Sequence, residues 1–470
     1  MRTGLVFFDM GGSAGEISAQ EVRVAALEAA EEVNPHINAM VEVWPDEALS
    51  GDGAFRGVPF VVKDIGLMVA GRKTEFGSRL AQGFRFDMDS DLMRRFRTGG
   101  LTPIGRTAIP EFATSVATEP LVGGPTCNPW NPAYSAGGSS GGAAAAVAAG
   151  IVPVAHAIDG GGSIRVPASA TGLVGLKPSR GRVAMGPAVD EIWGGLATQF
   201  VLTRSVSDAA SVLDQLQGPN AGEPFEISAP AGPYSPPRPP GRLRIGLCQN
   251  PLNGARTTEP VLKVLAETAA CLEELGHVVE PVTLQVGVSW EAFALATSRF
   301  WAVHTASAIE WIKGETGRPV NDSTLEPVNL ALHSLGRSLG ALDLVAADQT
   351  RNRIARHYAR HFQQHDLLLS PTLPDLTGRL GTLHADVDHL DGLAWLVRVL
   401  NEAPFSGIAN MTGTPAISLP LGHDEKSGLP IGMQFAGRFG AEDVLLSLAS
   451  QLEQARPWAA RRPIIYAGSA

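Results

Sequence analysis

Three consecutive glycines followed by a serine, Gly160-Gly161-Gly162-Ser163, are the first residues whose types and spacing could do chemistry. Glycine has no Cβ, so its backbone N–H group is unshielded and can adopt conformations closed to other residues. N–H groups that converge beside a serine hydroxyl make an oxyanion hole, in which each donor contributes about 2.7–4 kcal/mol in other hydrolases. A tight turn with an ordinary serine, or an anion-binding nest, explains the same string. Alone, the run leaves all three open.

A second run, Gly137 to Gly142, places Ser139 and Ser140 at the start of an alanine-rich stretch. If that stretch is a helix, its dipole favours a partly negative oxygen on Ser139, although an ordinary N-cap serine fits equally well. The run also matches the G-x-S-x-G nucleophile elbow, which requires a strand directly before the serine. The preceding residues 131–136 have the composition of a loop, so the elbow is disfavoured.

Lys63 ends an apolar run, Val58 to Val62, that is typical of a buried strand. An ordinary lysine is protonated at neutral pH and cannot accept a proton. Burial disfavours the charged form, and a pKa of about 7–8 is a known route to a general base. Pairing with Asp64 or another carboxylate is the structural alternative. The hypothesis of a catalytic lysine depends on its combination with the two serine runs.

Taken together, these segments resemble the amidase signature family. Gly137 to Val183 is similar to the defining signature, Gly57 to Asp64 to the segment with the catalytic lysine, and Asn410 to Leu446 to C-terminal pieces of the family. The resemblance covers most of residues 15–220 and 365–465. It is weak between 285 and 365.

The resemblance implies acyl transfer through a Ser-Ser-Lys triad, without metal or organic cofactor. The base falls on Lys63, the bridging serine beside a cis peptide on Ser139, and the nucleophile on Ser163, 24 positions further on. The implied oxyanion donors are the N–H groups of Gly160, Gly161, Gly162 and Ser163. The implied supporting residues are Ser140, Asp159 and Arg165, and those bordering the substrate are Thr114 and Ser115.

One position departs from the family pattern. Many members have threonine where this chain has Gly160, so the contacts of that side chain are absent here, whereas the backbone donors remain. The Asp-Gly-Gly-Gly-Ser form, with VPVAH before it and Glu191-Ile192-Trp193 after it, resembles bacterial members that hydrolyse a cyclic dimeric amide.

The elements that must position these residues alternate between helix and strand, which predicts an α/β protein with helices covering a central sheet. The family resemblance implies that this sheet is large and mixed, with helices on both faces. A capping box at Ser18 and Glu21 predicts a helix that ends near Asn34-Pro35. The Pro-rich stretch 229–241 suits a surface linker. We expect a single amidase domain over 1–470, a signature core over 57–183, and a variable, mostly helical, substrate-specifying region over 285–400.

Composition excludes several classes of function. The net charge of -10 and the pI near 5.6 disfavour binding to nucleic acid. Three scattered cysteines form no zinc or disulfide pattern. The apolar run Leu5 to Phe8 is too short for a signal sequence, and Gly141 to Ile158 is too rich in Ala and Gly for a membrane span. We therefore expect a cytoplasmic enzyme without membrane partners. Its composition is compatible with a homodimer.

Three alternatives stay open. His156 and Asp159 lie near Ser163 and invite a Ser-His-Asp triad, although a satisfied core histidine is expected in so apolar a run. The chain could be an amidotransferase A-type subunit that acts with partner subunits, or a catalytically silent binding protein on this fold. We predict a small linear, cyclic or aryl amide as substrate, with Trp301 and His304 as further candidates for its pocket.

Overall fold

The computed structural model describes residues 18–218, 220–384, 387 and 391–468, which contain an eleven-stranded mixed sheet. Its strands are β1 (Met40–Val43), β2 (Pro59–Lys63), β3 (Thr102–Thr107), β6 (Val154–Asp159), β7 (Val174–Lys177), β8 (Thr198–Thr203), β9 (Arg244–Leu247), β10 (Val278–Pro281), β11 (Leu367–Pro371), β12 (Ala416–His423) and β13 (Pro430–Gly437). A separate two-stranded sheet contains β4 (Cys127–Asn128) and β5 (Asn131–Ser135).

The order across the large sheet is β1-β3-β2-β6-β8-β7-β12-β13-β11-β9-β10. Strand β2 runs parallel to both β3 and β6, and β9 runs parallel to both β10 and β11. The strands between β6 and β11 pair antiparallel with their neighbours. Strands β2 and β6 are adjacent and parallel, and their last residues are Lys63 and Asp159. Both residues therefore lie at the same edge of the sheet.

Twelve α-helices and one 3₁₀ turn accompany the strands in the described ranges. They are α1 (Ala19–Ile37), α2 (Asp91–Gly99), the turn Glu111–Ala113, α3 (Gly141–Ala148), α4 (Arg165–Thr171), α5 (Val206–Leu216), α6 (Glu259–Glu274), α7 (Trp290–Thr316), α8 (Pro327–Ser338), α9 (Ala341–His361), α10 (Gly392–Glu402), α11 (Gly407–Thr412) and α12 (Glu442–Ala455). Residues 285–400 thus contain α7 to α10 and one central strand.

Apolar clusters cover both faces of the sheet. Successive side chains of a strand point to opposite faces. In β11, Leu367 and Leu369 belong to a cluster that includes residues of α1, α3, α5, α6 and α12, whereas Leu368 packs with residues of α7 to α10. The predicted α/β class, with helices on both sides of a mixed sheet, is confirmed.

Helix α3 is buried along its whole length, which its small residues permit. A Cβ on Gly142 would lie 2.5 Å from the Ala108 backbone nitrogen and 2.5 Å from the Ala39 carbonyl oxygen. Only glycine allows so close an approach, and the N-terminus of α3 is thereby held against β3. The apolar stretch 141–158 is a core helix followed by β6, as predicted.

Several predicted boundaries were wrong. Helix α1 has the predicted capping box but continues past Pro35 to Ile37 and ends at Asn38 in the left-handed conformation. Residues 131–136, predicted as a loop, contain β5, although β5 ends four residues before Ser139 and forms no elbow. Strand β8 was not predicted, yet it lies between β6 and β7.

Two further predictions concern the N-terminal apolar run and membrane-spanning helices. The apolar run Leu5 to Phe8 lies outside the described residues. Within the described ranges, no helix combines the length and the apolar composition needed to cross a bilayer.

Candidate active site

Lys63 is completely buried at the end of β2, and its side-chain nitrogen faces the start of α3. Nζ lies within hydrogen-bonding distance of Ser139 Oγ (2.7 Å), Ser140 Oγ (2.8 Å) and the Ile158 carbonyl oxygen (3.4 Å). Burial lowers the pKa of Lys63 well below its usual value, and the negative charge of Asp159 only partly opposes this. The site therefore favours a neutral amine with a lone pair available to accept a proton.

Asp64 pairs with Arg106 and not with Lys63, and no carboxylate in the described part of the chain forms an ion pair with this lysine. Its carboxylate accepts hydrogen bonds from Arg106 Nη1 at 2.7 Å and from the backbone N–H groups of Glu75 and Gly77. Burial is the largest influence and raises the pKa of Asp64, although Arg106 opposes it. The side chains of Lys63 and Asp64 thus lie in different surroundings.

Ser139 and Ser140 lie at the N-terminus of α3 and are both fully buried. The peptide bond between Gly138 and Ser139 is cis, at the position that the family resemblance implies. Thr118, which the sequence argument missed, holds this segment on both sides: its hydroxyl donates to the Gly137 carbonyl at 2.9 Å and accepts from the Gly141 N–H at 3.1 Å.

The glycine loop connects β6 to α4 and is tightly enclosed. A Cβ on Gly160 would lie 2.1 Å from Trp193 Cε3, and one on Gly161 would lie 2.4 Å from Trp301 Cζ2. Gly162 has a φ of 135°, a conformation strained for other residues, and faces Ser406. The ring of Trp193 thus occupies the space beside the position where many family members have a threonine.

Asp159 and Arg165 form an ion pair in which both side chains are completely inaccessible. Arg165 Nη2 donates to Asp159 Oδ1 and Nε to Oδ2, both at 2.9 Å. Asn410 Nδ2 donates to the same Oδ1 and to the Asp159 carbonyl, both at 2.9 Å. Burial alone would raise the pKa of Asp159, but Arg165 holds it below its usual range. The carboxylate therefore stays charged beside the loop.

One of the four predicted oxyanion donors is already engaged. The Gly162 N–H donates to Asp159 Oδ1 at 2.8 Å. The N–H groups of Gly160, Gly161 and Ser163 have no hydrogen-bond acceptor in the described part of the chain. The buried Asp159 carboxylate therefore shapes the loop, whereas the other three N–H groups are available to a ligand.

Ser163 follows the glycine loop and is 7% exposed, on the wall of a small pocket. Among the described residues its hydroxyl has no hydrogen-bond partner, and the link from Ser139 to Ser163 is not closed in this structure. The other lining residues are mostly apolar: Ala113, Thr114, Ser115, Val116, Gly161, Trp193, Trp301, Leu396, Val399, Leu400 and Ala403. Thr114, Ser115 and Trp301 thus lie at the pocket, whereas His304 lines a neighbouring cavity.

The turn Glu111–Ala113, just before Thr114, has an unusual backbone. Phe112 and Ala113 have φ values of 51° and 60°, in the left-handed region that non-glycine residues rarely adopt. Glu111 anchors the turn, since its carboxylate accepts from Asn329 Nδ2 at 2.9 Å. The Thr114 hydroxyl donates to Asn329 Oδ1 at 3.1 Å. Helix α8 is therefore tied to the pocket wall through a residue that the sequence argument did not identify.

His156 contacts the backbone of Lys63 and makes no hydrogen bond to Ser163. Its Nδ1 accepts from the Lys63 N–H at 3.4 Å, and its Nε2 pairs with Gln199 Oε1 at 2.9 Å. Burial lowers the pKa of His156 to about 3, so the ring is neutral. Both nitrogens are occupied, and the prediction of a satisfied core histidine is confirmed.

In the described ranges, no three His, Cys, Asp or Glu side chains form a cluster that could hold a metal ion.

Comparison with known proteins agrees with this geometry. The family model Amidase matches residues 21–446. The chain is 36% identical over 472 residues to 6-aminohexanoate-cyclic-dimer hydrolase of Paenarthrobacter ureafaciens, an alignment covering 96% of this chain and 94% of that protein. The chain therefore belongs to the amidase family, and it is a hydrolase of amide carbon–nitrogen bonds.

Solved structures place it within that family. The structure of 6-aminohexanoate cyclic dimer hydrolase complexed with substrate matches with a TM-score of 0.91 at 34% identity, over 96% of both chains. The glutamyl-tRNA(Gln) amidotransferase structure from Thermotoga maritima matches with a TM-score of 0.77 at 25% identity, over 96% and 95% of the two chains. The predicted likeness to bacterial hydrolases of a cyclic dimeric amide is confirmed.

Proposed function

We propose that this amidase hydrolyses small neutral carboxylic amides through an acyl-enzyme on Ser163, with Lys63 as the base and Ser139 as the proton relay. The observation that carries the proposal is the buried Lys63 amine, 2.7 Å from the Ser139 hydroxyl. Ser163 lines a small pocket. A serine hydroxyl is a weak nucleophile at neutral pH and needs an adjacent base.

In the first half-reaction Ser163 Oγ bonds to the amide carbon as its proton passes to Ser139 and the Ser139 proton passes to Lys63. The resulting tetrahedral oxyanion is held by N–H groups of the glycine loop. The proton returns through Ser139 to the leaving nitrogen, the C–N bond breaks and the amine departs. Water then adds to the acyl-serine by the same route and releases the carboxylic acid.

The proposed oxyanion hole uses the N–H groups of Gly160, Gly161 and Ser163. Gly162 is left out because its N–H serves Asp159. Each donor of this kind contributes about 10²–10³-fold to kcat in related chemistry. Asp159 and Arg165 act indirectly, since they hold the loop in the shape that exposes the other donors.

The substrate class follows from the apolar pocket wall. Leu396, Val399 and Leu400 of α10 face the pocket together with two tryptophans, and a charged group there would lose its hydration without a partner. The P. ureafaciens relative is named for a cyclic amide of 6-aminohexanoate. We infer that this chain takes a linear, cyclic or aryl amide that is neutral beside the scissile bond.

Two further functions are less well supported. An amidotransferase subunit would need an ammonia donor and partner subunits, and the likeness to that class is weaker than to the cyclic-dimer hydrolase. A silent binding protein would not need a buried neutral lysine beside two serines. A cytoplasmic location and a homodimer belong to the proposal as well, the latter testable by light scattering of the purified chain.

The test uses the purified chain alone. We expect it to release ammonia from butanamide without glutamine or ATP, and to be labelled covalently by a serine-reactive fluorophosphonate. Ser163→Ala should lose both properties, whereas His156→Gln, a change in a buried neighbour of Lys63, should keep them. Labelling that persists in Ser163→Ala, or activity that requires glutamine and a partner, would contradict the proposal.

A further inference from the structure

The pocket at Ser163 is too small for more than the reacting group. Its volume is about 20 Å³, compared with the roughly 10–15 Å³ needed for one water molecule. A second cavity of about 490 Å³ adjoins it. We call it the aromatic cavity, since Phe76, Phe86, Phe112, Trp193 and Trp311 line it. An extended substrate that places its amide at Ser163 must have its remainder elsewhere.

Three segments line both spaces, which makes them direct neighbours. Trp193 faces the two cavities at once. In the turn Glu111–Ala113, Ala113 lines the Ser163 pocket and the preceding Phe112 lines the aromatic cavity. On α7, Trp301 lines the pocket and Thr305 lines the cavity. Residues four apart lie on one helix face, so the two spaces are separated by about one helical turn.

The chemistry of the aromatic cavity suits a neutral ligand with a polar atom. No Asp, Glu, Lys or Arg is found among the described residues that line it. The Thr305 hydroxyl is buried and has no hydrogen-bond partner in the part of the chain that the structure describes. His304 lines the cavity too, and burial lowers its pKa despite the opposing charge of Glu191. A neutral imidazole and an unpaired hydroxyl both offer hydrogen bonds without charge.

A third cavity, of about 150 Å³, touches the Ser163 pocket through Val116 but differs in character. Charged side chains line it, among them Glu119, Asp375 and Arg379. Burying an apolar group against charged side chains gains little, whereas aromatic walls favour it. The aromatic cavity, which Trp193 lines, therefore accommodates the apolar remainder of a substrate better than this third cavity does.

We propose that the aromatic cavity is a second substrate subsite that binds the neutral, apolar part of the amide remote from the scissile bond. Trp193 forms the partition around which the substrate bends, and Thr305 hydrogen-bonds a carbonyl or hydroxyl of the remote part. This inference rests on the proposed function and adds its substrate class: amides with an extended aryl or alkyl substituent that carries a hydrogen-bonding group.

The test fills the cavity without touching Ser163. Ala308→Phe adds a ring at a half-buried position of α7 that lines the cavity, and Ala292→Phe is the control at a half-buried alanine of the same helix outside it. Thr382→Trp obstructs the charged cavity instead. Each variant is assayed on butanamide and on two series of phenylalkyl amides, one extended on the acyl side and one on the amine side, with thermal unfolding as the check on folding.

We expect Ala308→Phe to lower kcat/KM for one extended series at least about tenfold while butanamide turnover and the unfolding temperature stay unchanged. Thr305→Val should raise KM only for extended amides that carry a remote carbonyl or hydroxyl. Unchanged turnover of both series in Ala308→Phe, or selective loss in Thr382→Trp alone, would overturn the subsite. A wild-type chain that hydrolyses no amide would instead refute the proposed function.

Discussion

Replacing Gly160 by threonine, the residue found in many family members, should damage this protein because Trp193 occupies the required space. A Cβ at this position would lie 2.1 Å from Trp193 Cε3, whereas carbon atoms in contact are about 3.5–4.0 Å apart. The indole must therefore retreat by roughly 1.4–1.9 Å. It cannot do so freely, since Arg351 Nη1 donates to the carbonyl of the next residue, Gly194, at 2.6 Å.

The magnitude follows from this overlap. Overpacking of a filled site costs about 1–3 kcal/mol in unfolding free energy. If the strain is relieved by movement of the glycine loop instead, Ser163 is displaced as well. A misplacement of about 1 Å costs roughly 100-fold in rate. We expect Gly160→Thr to lower both the unfolding temperature and kcat for butanamide.

The decisive comparison is a double-mutant cycle with Trp193→Ala. Removal of the ring makes room for the threonine, so Gly160→Thr should cost much less in the Trp193→Ala background, with a coupling energy of about 1–3 kcal/mol. Gly314→Thr is the control, because a Cβ there meets no atom within 4 Å. The four proteins of the cycle are compared by kcat for butanamide and by thermal unfolding. Additive effects, or a Gly160→Thr variant with wild-type stability and kcat, would refute the reasoning.

Three further predictions concern buried ionisable groups. Asp159→Asn leaves the Arg165 guanidinium buried without its charge partner and should destabilise the fold by about 3–5 kcal/mol, measured by chemical denaturation. Burial and the nearby Glu326 charge raise the pKa of Glu111 from 4.5 to about 7, so the folded state binds more protons than the unfolded state in this window and stability should fall as pH rises through it. Glu111→Gln should flatten that dependence in thermal unfolding, and an unchanged slope would contradict the assignment. Because burial lowers the pKa of Lys63 well below its usual 10.5, kcat/KM should fall in acid and reach its plateau well below pH 10.5, and a profile that keeps rising toward pH 10.5 would contradict the lowered pKa of this base.

Much of the fold could be predicted from local patterns. The capping box at Ser18, the apolar run before Lys63 and the alanine-rich stretch after Ser140 each became the predicted element. Strand β8 was missed although its residues Thr198–Thr203 are rich in β-branched and aromatic side chains. Its place between β6 and β7 depends on pairing across more than forty residues, from Val154 to Thr203, which no local pattern contains.

The candidate site divides in the same way. Its backbone motifs were recognisable, and the resemblance implied Asp159 and Arg165 as supports, but several other residues that hold the site were not predicted. Thr118, Glu111 and Asn410 hold the site through hydrogen bonds to residues distant in the chain. Asn410 had a signal, since it begins a segment that resembles the family. The other two had none stronger than proximity to Thr114.

By itself the sequence determined the class of chemistry, because a lysine at the end of a buried strand and two serines in glycine runs are local features that the family resemblance joins. Only the tertiary structure decided which N–H groups are open to a ligand. The side chain of Asp159 turns back onto the loop that follows it and takes the Gly162 N–H, leaving Gly160, Gly161 and Ser163. It also decided that Trp193, thirty positions after Ser163, closes the pocket, because loop packing against Gly160 depends on the course of the whole chain.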